Sequence, residues 1–174
     1  EITTRLVGSE MCIRDSSQLL KIPLSYERRK QYIREDIRQI ENALQDMNER
    51  YLDDGQRYSV KQLEKTKKNY EARLEKLTDN EVDDVVTFEE LGVDRIYIDE
   101  AHMFKNLYMP TKMSNVAGIQ MTEAKKSSDL YYKSKYLDEI TGGKGVVFAT
   151  GTPVSNSMTE LYTMMRYLQA GTLQ

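Results

Sequence analysis

Two short apolar runs constrain what this chain can fold into more than any other feature. The first covers residues 95–98 and leads directly into Asp99-Glu100. The second covers residues 146–150 and is followed by Gly151-Thr152-Pro153. Continuous apolar runs bounded by turn residues are typical of central strands in a parallel sheet, covered on both faces. We therefore expect two parallel strands whose carboxyl ends face the same crevice.

Helical signals follow each of the two expected strands. A helix is expected over residues 128–140, and another after Ser157, which forms a capping box with Glu160. The apolar stripe of this last helix consists of Met158, Leu161, Met165 and Leu168. The order strand, helix, strand, helix predicts an α/β fold with a doubly wound parallel sheet.

Residues 25–78 differ in character, because charged residues are frequent and apolar residues recur at alternating spacings of four and three. This heptad pattern predicts two antiparallel helices in a coiled-coil hairpin. The expected turn is Asp53-Asp54-Gly55, and Ser59 with Gln62 would form a capping box for the second helix. Lys67 occupies one core position of the second stripe. The stripes consist of Ile33, Ile37, Ile40, Leu44, Met47 and Tyr51, and of Val60, Leu63, Tyr70, Leu74 and Leu77.

The role of the hairpin has two interpretations. Its charged faces are mixed in sign, so the hairpin can be a solvated structural arm that needs no partner. It can also be a contact arm for nucleic acid or for a neighbouring domain. In that case the contacts would come from two basic clusters, Arg28-Arg29-Lys30 and Lys65, Lys67 and Lys68.

Residues 1–16 fit neither pattern. The stretch 7–16 resembles translated sequencing-adapter read-through, so we treat residues 1–16 as a non-native or disordered leader. On that interpretation Cys12 is not native and the natural protein continues upstream. The chain then divides into this leader, a lead-in to the core at 17–24, the hairpin at 25–78 and the α/β part at 79–174.

The composition excludes several classes of protein. The chain has no run of about 18 apolar residues, so we expect no membrane-spanning helix. A single cysteine and a single histidine exclude a disulfide framework and a metal site built from several such residues. The net charge of −3 argues against a wholly basic nucleic-acid coat but permits a local basic patch. The scarcity of cysteine suits the cytoplasm.

Polar residues stand at the carboxyl ends of both expected strands, where open α/β sheets bind their ligands. Asp99 and Glu100 can divide two tasks, because one carboxylate can hold Mg²⁺ and the other can orient or deprotonate an attacking water. The hydroxyl-rich turn at 150–153 can sense a phosphate beside that acidic site. Each motif alone is common, and their shared position points to nucleotide hydrolysis.

Both segments resemble motifs of Swi/Snf-type, superfamily-two helicase-like ATPases. Motif II of that family, the DEAH box, is matched by Asp99-Glu-Ala-His102 with Lys105-Asn106 after it. Motif III is matched by residues 148–153, with Asn156 and Glu160 following. From residue 17 onward the chain also resembles the helicase part of large helicase–methylase proteins of phages and conjugative elements. The resemblance implies that 79–174 is the C-terminal part of a first RecA-like, ATP-binding domain.

The resemblance implies roles for the motif residues. Asp99 would bind Mg²⁺ through ATP, Glu100 would activate the hydrolytic water, and His102 would link the nucleotide site to motif III. The coupling motif would consist of Thr150, Gly151, Thr152 and Pro153. Nucleic-acid contacts would be made by Lys105, Asn106 and Asn156. The implied cofactors are ATP and Mg²⁺, and the implied partners are double-stranded DNA and further RecA-like and methylase domains of a longer parent protein in a bacterial or phage-infected cell.

The sequence also departs from the ATPase pattern. It contains no Gly-x-x-x-x-Gly-Lys-Ser/Thr phosphate loop, because the Gly142-Gly-Lys-Gly145 stretch has the wrong spacing and precedes a strand. A second RecA-like domain, with its arginine finger, is also missing. We therefore expect the 174-residue chain to hydrolyse no ATP by itself.

Two other classes of function stay open. The chain can be a non-enzymatic interaction module, in which the coiled-coil hairpin binds a partner and the α/β part is the platform. It can also be a metal-dependent hydrolase that uses Asp99, Glu100 and His102. The second is disfavoured, because adjacent strand residues point to opposite faces and the two carboxylates cannot converge without a bend.

Overall fold

The computed structural model describes residues 19–48, 54–79, 85–108, 124–155 and 157–172. These ranges form a mixed α/β structure that is mostly helical. None of their helices carries an apolar stretch of the length that a bilayer crossing requires. In chain order the elements are α1 (Tyr26–Asn48), α2 (Asp54–Asp79), β1 (Ile96–Ile98), a 3-10 helix (Ala101–Phe104), α3 (Lys125–Thr141), β2 (Val146–Phe148) and α4 (Met158–Leu168).

The strands β1 and β2 pair in parallel, as the two apolar runs predict. Ile96 lies opposite Val146, and Ile98 lies opposite Phe148. The pairing continues beyond the strands, because the N–H of Ala149 donates to the carbonyl of Ile98 at 2.8 Å. The parallel α/β arrangement of the two runs is therefore confirmed, while a larger doubly wound sheet stays a prediction.

Only one face of this strand pair is covered among the described residues. Ile98 and Phe148 pack against the buried core, whereas Tyr97 is 70% exposed and Val147 is 39% exposed. The expectation of strands covered on both faces is therefore wrong for the described part of the chain. Polar and apolar residues do not alternate in these two runs. The sequence therefore could not show which face of the strand pair α3 and α4 leave exposed.

The helices α1 and α2 pack against each other along the apolar stripes that the spacing predicts. The stripe residues Ile33, Ile40, Met47, Leu63 and Tyr70 are buried, and Ile37, Leu44, Val60, Leu74 and Leu77 are partly buried against them. Lys67, at the core position without an apolar residue, reaches from α2 to α1, where its Nζ lies 2.7 Å from Oε1 of Glu41. Tyr51 lies outside the described residues.

Two expected helix starts are wrong. The helix α2 begins at Asp54, so Ser59 lies inside the helix and is fully buried, and it does not form the expected cap with Gln62. The helix α3 begins at Lys125, three residues before Ser128, and its capping residue Ala124 provides only a backbone carbonyl.

Polar contacts fasten the first half of α1 to α3. Glu139 pairs with Arg28 and accepts the hydroxyl of Tyr32 at 2.8 Å. Lys135 pairs with Glu35 in the same interface. The hairpin is therefore anchored to the α/β part along this stretch and is not an arm surrounded by solvent. Because Arg28 and Lys67 make internal ion pairs, the basic clusters give limited support to a nucleic-acid arm, although Lys65 and Lys68 are exposed.

We expect Gly145→Ala to destabilise the fold. Gly145 immediately precedes β2, and a Cβ at this position would lie 2.6 Å from Cβ of the buried Leu137. Overpacking of this kind costs about 1–3 kcal/mol in the free energy of unfolding. The matched control is Gly171→Ala, since a Cβ there meets no atom within 4 Å. Denaturant unfolding of both variants checks the difference, and equal midpoints would contradict it.

We expect Asp138→Asn to change how stability depends on pH. Burial raises the pKa of the Asp138 carboxyl to about 6, although the backbone N–H of Ala170 donates to it. Between about pH 4 and pH 6 the folded chain holds a proton on this carboxyl that the unfolded chain has already lost. Raising the pH through this range therefore lowers the free energy of unfolding.

The asparagine variant lacks this loss. It should therefore gain stability relative to the natural chain between about pH 4 and pH 8. Thermal unfolding across that range measures the gain. Asp94→Asn, at an exposed carboxylate, is the control. Parallel pH profiles for the natural chain and Asp138→Asn would disprove the assignment.

Candidate functional site

A sharp backbone bend at Glu100 redirects the chain after β1. Glu100 is the one described non-glycine residue with a positive φ, at φ 51° and ψ 43°. Its N–H donates to Oδ1 of Asp99 at 2.9 Å, which fixes the aspartate across the bend. Both carboxylates are exposed. A bend, without which the carboxylates of two adjacent strand residues cannot converge, is therefore present, and the geometric objection to a site that uses both carboxylates does not apply.

His102 connects the ends of the two strands. It lies in the 3-10 helix that follows the bend, and its Nδ1 is 3.0 Å from Oε2 of Glu100 and 3.3 Å from Oγ1 of Thr150. The Thr150 hydroxyl also accepts the N–H of Thr152 at 3.2 Å. The acidic motif and the hydroxyl-rich turn therefore lie within hydrogen-bond distance of each other.

Nδ1 of the imidazole can form a hydrogen bond with Glu100 or with Thr150, but its single hydrogen cannot be donated to both at once. With a hydrogen on Nδ1, His102 donates to the Glu100 carboxylate. Without that hydrogen, Nδ1 accepts the hydroxyl of Thr150. The ring can therefore contact either the acidic bend or the turn after β2, depending on its tautomer.

The remaining motif residues occupy different positions. Gly151, Thr152 and Pro153 form an exposed loop after β2, and Asn106 is exposed after the 3-10 helix. Asn156 lies outside the described residues. Lys105 does not extend freely into solvent, because its Nζ lies 3.0 Å from Oε1 of Glu160.

The start of α4 differs from the expected capping box. Ser157 caps the helix, but it accepts the N–H of Thr159 at 3.3 Å. Glu160 turns away and accepts the N–H of Ser155 at 2.7 Å. Glu160 is 4% exposed, and its burial is explained by its pairing with Lys105.

The buried face of α4 is also displaced from the expected stripe. Met158 is 70% exposed, and the buried residues of the helix are Glu160, Thr163, Met164 and Tyr167. The spacing of three, one and three is still helical, but the face is rotated. The polar groups of Glu160 and Tyr167 point inward because each finds a partner there, which an apolar stripe cannot indicate.

Tyr167 supports the site from below and was not recognised from the sequence. Its hydroxyl lies 2.9 Å from the carbonyl of Phe104, at the end of the 3-10 helix, and 3.2 Å from the carbonyl of Ser127 in α3, so its one hydrogen is shared between these two acceptors. Its ring packs on Phe148 of β2, with ring centroids 5.4 Å apart. The side chain is fully buried, and this burial raises the pKa of its hydroxyl well above the usual range. The tyrosine therefore joins both segments of the site to α4.

The carboxylates suit a Mg²⁺ ion that is shared with a nucleotide. Asp99 and Glu100 offer hard oxygen ligands at the carboxyl end of β1. No group of three or more potential ligands occurs among the described histidine, cysteine, aspartate and glutamate residues. In nucleotide sites Mg²⁺ commonly takes one or two protein carboxylates and completes its ligands with phosphate oxygens and water.

Comparison with known proteins gives the class of this fold and site. The family model described as a probable helicase domain matches residues 8–174, so the chain belongs to this family of probable helicase domains. The matched residues include the acidic bend, the 3-10 helix and the loop after β2.

A protein similar to the chain is Defense against restriction protein B of Escherichia phage P1, which is 32% identical over 83 residues. Those residues are 47% of this chain and 4% of the phage protein, so the chain spans a small part of that protein's length. No solved structure matches the chain. The likeness to helicase-like phage proteins is confirmed at this level, and the Swi/Snf assignment stays a prediction.

We expect Tyr167→Phe to lower the free energy of unfolding by about 1–3 kcal/mol, because the carbonyl of Phe104 loses its donor inside the core. Tyr162→Phe is the control on the same helix, since Tyr162 is 44% exposed. Its effect should stay within about 0.5 kcal/mol. Denaturant unfolding of both variants measures the difference, and a Tyr167→Phe variant as stable as the natural chain would refute the supporting role.

Proposed function

We propose that this chain is part of the ATP-hydrolysing core of a DNA-dependent, Swi/Snf-like helicase-type translocase. The observation that carries the proposal is the contact between Nδ1 of His102 and Oγ1 of Thr150, at 3.3 Å. It joins the acidic end of β1 to the hydroxyl-rich end of β2. Membership of a probable helicase domain family supports the same class of function.

In this proposal the chain is the C-terminal part of a first RecA-like domain, and its two carboxylates divide the work at the nucleotide. Asp99 holds Mg²⁺, and its orientation is fixed because its Oδ1 accepts the N–H of Glu100. Glu100 orients and deprotonates the attacking water, for which its exposed carboxylate is accessible. Bound Mg²⁺ supplies charge neutralisation on the nucleotide phosphates.

His102 and the loop after β2 would couple hydrolysis to DNA contact. When the charge near Glu100 changes, the hydrogen-bond preference of the imidazole changes with it. Nδ1 then releases or accepts the Thr150 hydroxyl. Because the Thr150 hydroxyl also accepts the N–H of Thr152, the change reaches the backbone of the exposed loop.

DNA and the other domains of the parent protein are the proposed partners. The phage relative is far longer than this chain, and its printed name assigns it to defence against restriction. A phosphate loop, a second RecA-like domain and a methylase domain would come from other parts of the parent. The hairpin, fastened to α3 through Glu139 and Lys135, would move with the α/β part as one unit.

The test is ATP hydrolysis by the full-length protein that carries this segment. We expect Glu100→Gln to reduce the DNA-stimulated kcat about 100-fold or more, because the base is lost, while ATP binding is retained. Glu64→Gln makes the same chemical change at an exposed position of α2 and should leave turnover unaltered.

Full DNA-stimulated turnover in Glu100→Gln would contradict the proposal. DNA-stimulated turnover by the purified 174-residue chain that Glu100→Gln abolishes would contradict only the expected inactivity of this chain by itself. If the full-length protein binds a partner through the hairpin and hydrolyses no ATP, the interaction-module alternative applies.

A further inference from the structure

Lys105 and Glu160 form an ion pair that joins the two segments of the site. Nζ of Lys105 lies 3.0 Å from Oε1 of Glu160 and donates to Oγ of Ser155 at 2.6 Å. The other carboxylate oxygen accepts the N–H of Ser155 at 2.7 Å. We call this group the Lys105–Glu160 bridge. It holds together the end of the 3-10 helix, the loop after β2 and the first turn of α4.

Because the carboxylate of Glu160 is buried, it requires a charged partner, and Lys105 is that partner. Glu160 is 4% exposed, and a buried carboxylate needs a compensating charge and hydrogen-bond donors. The Lys105 side chain, 22% exposed, supplies both. The family resemblance predicts that Lys105 contacts nucleic acid, whereas in the structure its ammonium group pairs with an internal carboxylate.

The bridge lies beside the contact that couples the two motifs. His102 is three residues before Lys105, and Thr150 is five residues before Ser155. Backbone hydrogen bonds of Ala149 with Ile98 and Ala101 align the two segments up to this point. Beyond them, the contact between His102 and Thr150 is long, at 3.3 Å, and only partly buried, so it holds the two side chains weakly. Tyr167, two turns along the same face of α4 as Glu160, makes a second attachment at the carbonyl of Phe104. The helix α4 therefore contacts both segments, through Glu160 and Tyr167.

We propose that Lys105 and Glu160 are positioning residues that keep His102 against Thr150. The inference rests on the proposed function, because it assigns the pair a part in coupling hydrolysis to DNA contact. Neither side chain touches the nucleotide in this role. A purely structural ion pair would stabilise α4 without controlling where the imidazole lies.

The first test uses the single histidine of the chain, whose ring signals need no separation from others. We expect a nuclear Overhauser contact between the His102 ring and the Thr150 methyl group in the natural chain. Lys105→Met should abolish it and Lys105→Arg should retain it. Lys126→Met is the matched control, because it removes a lysine that lies over the Phe104 ring of the same 3-10 helix. An unchanged contact in Lys105→Met would overturn the proposal.

A second variant, Glu160→Gln, distinguishes loss of the ion pair from misfolding of the chain. In Glu160→Gln the amide oxygen can still accept the N–H of Ser155, so the first turn of α4 keeps its hydrogen bond while the ion pair is lost. We expect a folded chain that has lost the contact between His102 and Thr150. A folded Glu160→Gln chain that keeps this contact would also overturn the proposal.

The third test measures ATP hydrolysis by the full-length protein. Lys105→Met should lower the DNA-stimulated kcat roughly ten- to a hundredfold, with KM for ATP unchanged, and Lys105→Arg should restore most of it. The salt dependence of DNA binding should not change, because Lys105 does not contact a phosphate. Weaker DNA binding with a shallower salt dependence would instead assign Lys105 to the DNA.

The outcomes separate the two proposals. If Glu100→Gln is inactive and Lys105→Met has natural turnover, the positioning role fails and the proposed function stands. If Glu100→Gln keeps its turnover, the proposed function fails. In that case the nuclear Overhauser contact between His102 and Thr150, measured in Lys105→Met and Glu160→Gln, still shows whether the bridge positions the imidazole.

Discussion

The backbone pairing of β1 with β2 is the interaction on which the candidate site depends. Each strand is only three residues long, yet the hydrogen bonds continue past both carboxyl ends, where Ala101 donates to the carbonyl of Ala149 at 3.1 Å. This continuation sets the acidic bend and the hydroxyl-rich loop side by side before any side chain takes part. Because a one-residue slip would exchange the faces of a strand, the register also decides which side chains meet.

The side-chain contacts of the site rest on one surface of α4. Tyr167 packs on Phe148 of β2 and reaches the 3-10 helix through its hydroxyl, while Glu160 holds the loop after β2. This helix is therefore the common support for two segments that are about fifty residues apart in sequence. On its other side the core continues through Tyr131 and Tyr132 of α3 to the hairpin, so helix packing links every described element.

The sequence predicted most of the elements and the proximity of the motifs, for identifiable reasons. Heptad spacing predicted the hairpin stripes, and apolar runs predicted both strands, because burial imposes these periods. Helix starts at Asp54 and Lys125 were missed, since Ser59 was interpreted as a cap and Ser128 as a first helical residue, whereas both serines are buried inside helices. Likewise, the inward direction of Glu160 and Lys105 depends on their pairing across 55 residues of sequence, which no local pattern contains.

The left-handed backbone at Glu100 has a cost for folding that glycine would avoid. A side chain destabilises this conformation by about 1–2 kcal/mol, whereas glycine adopts it freely. Under the proposed function, the reaction of the carboxylate with water is what offsets that cost. A copy of the protein that no longer needed this reaction could therefore exchange Glu100 for glycine or asparagine and keep its fold.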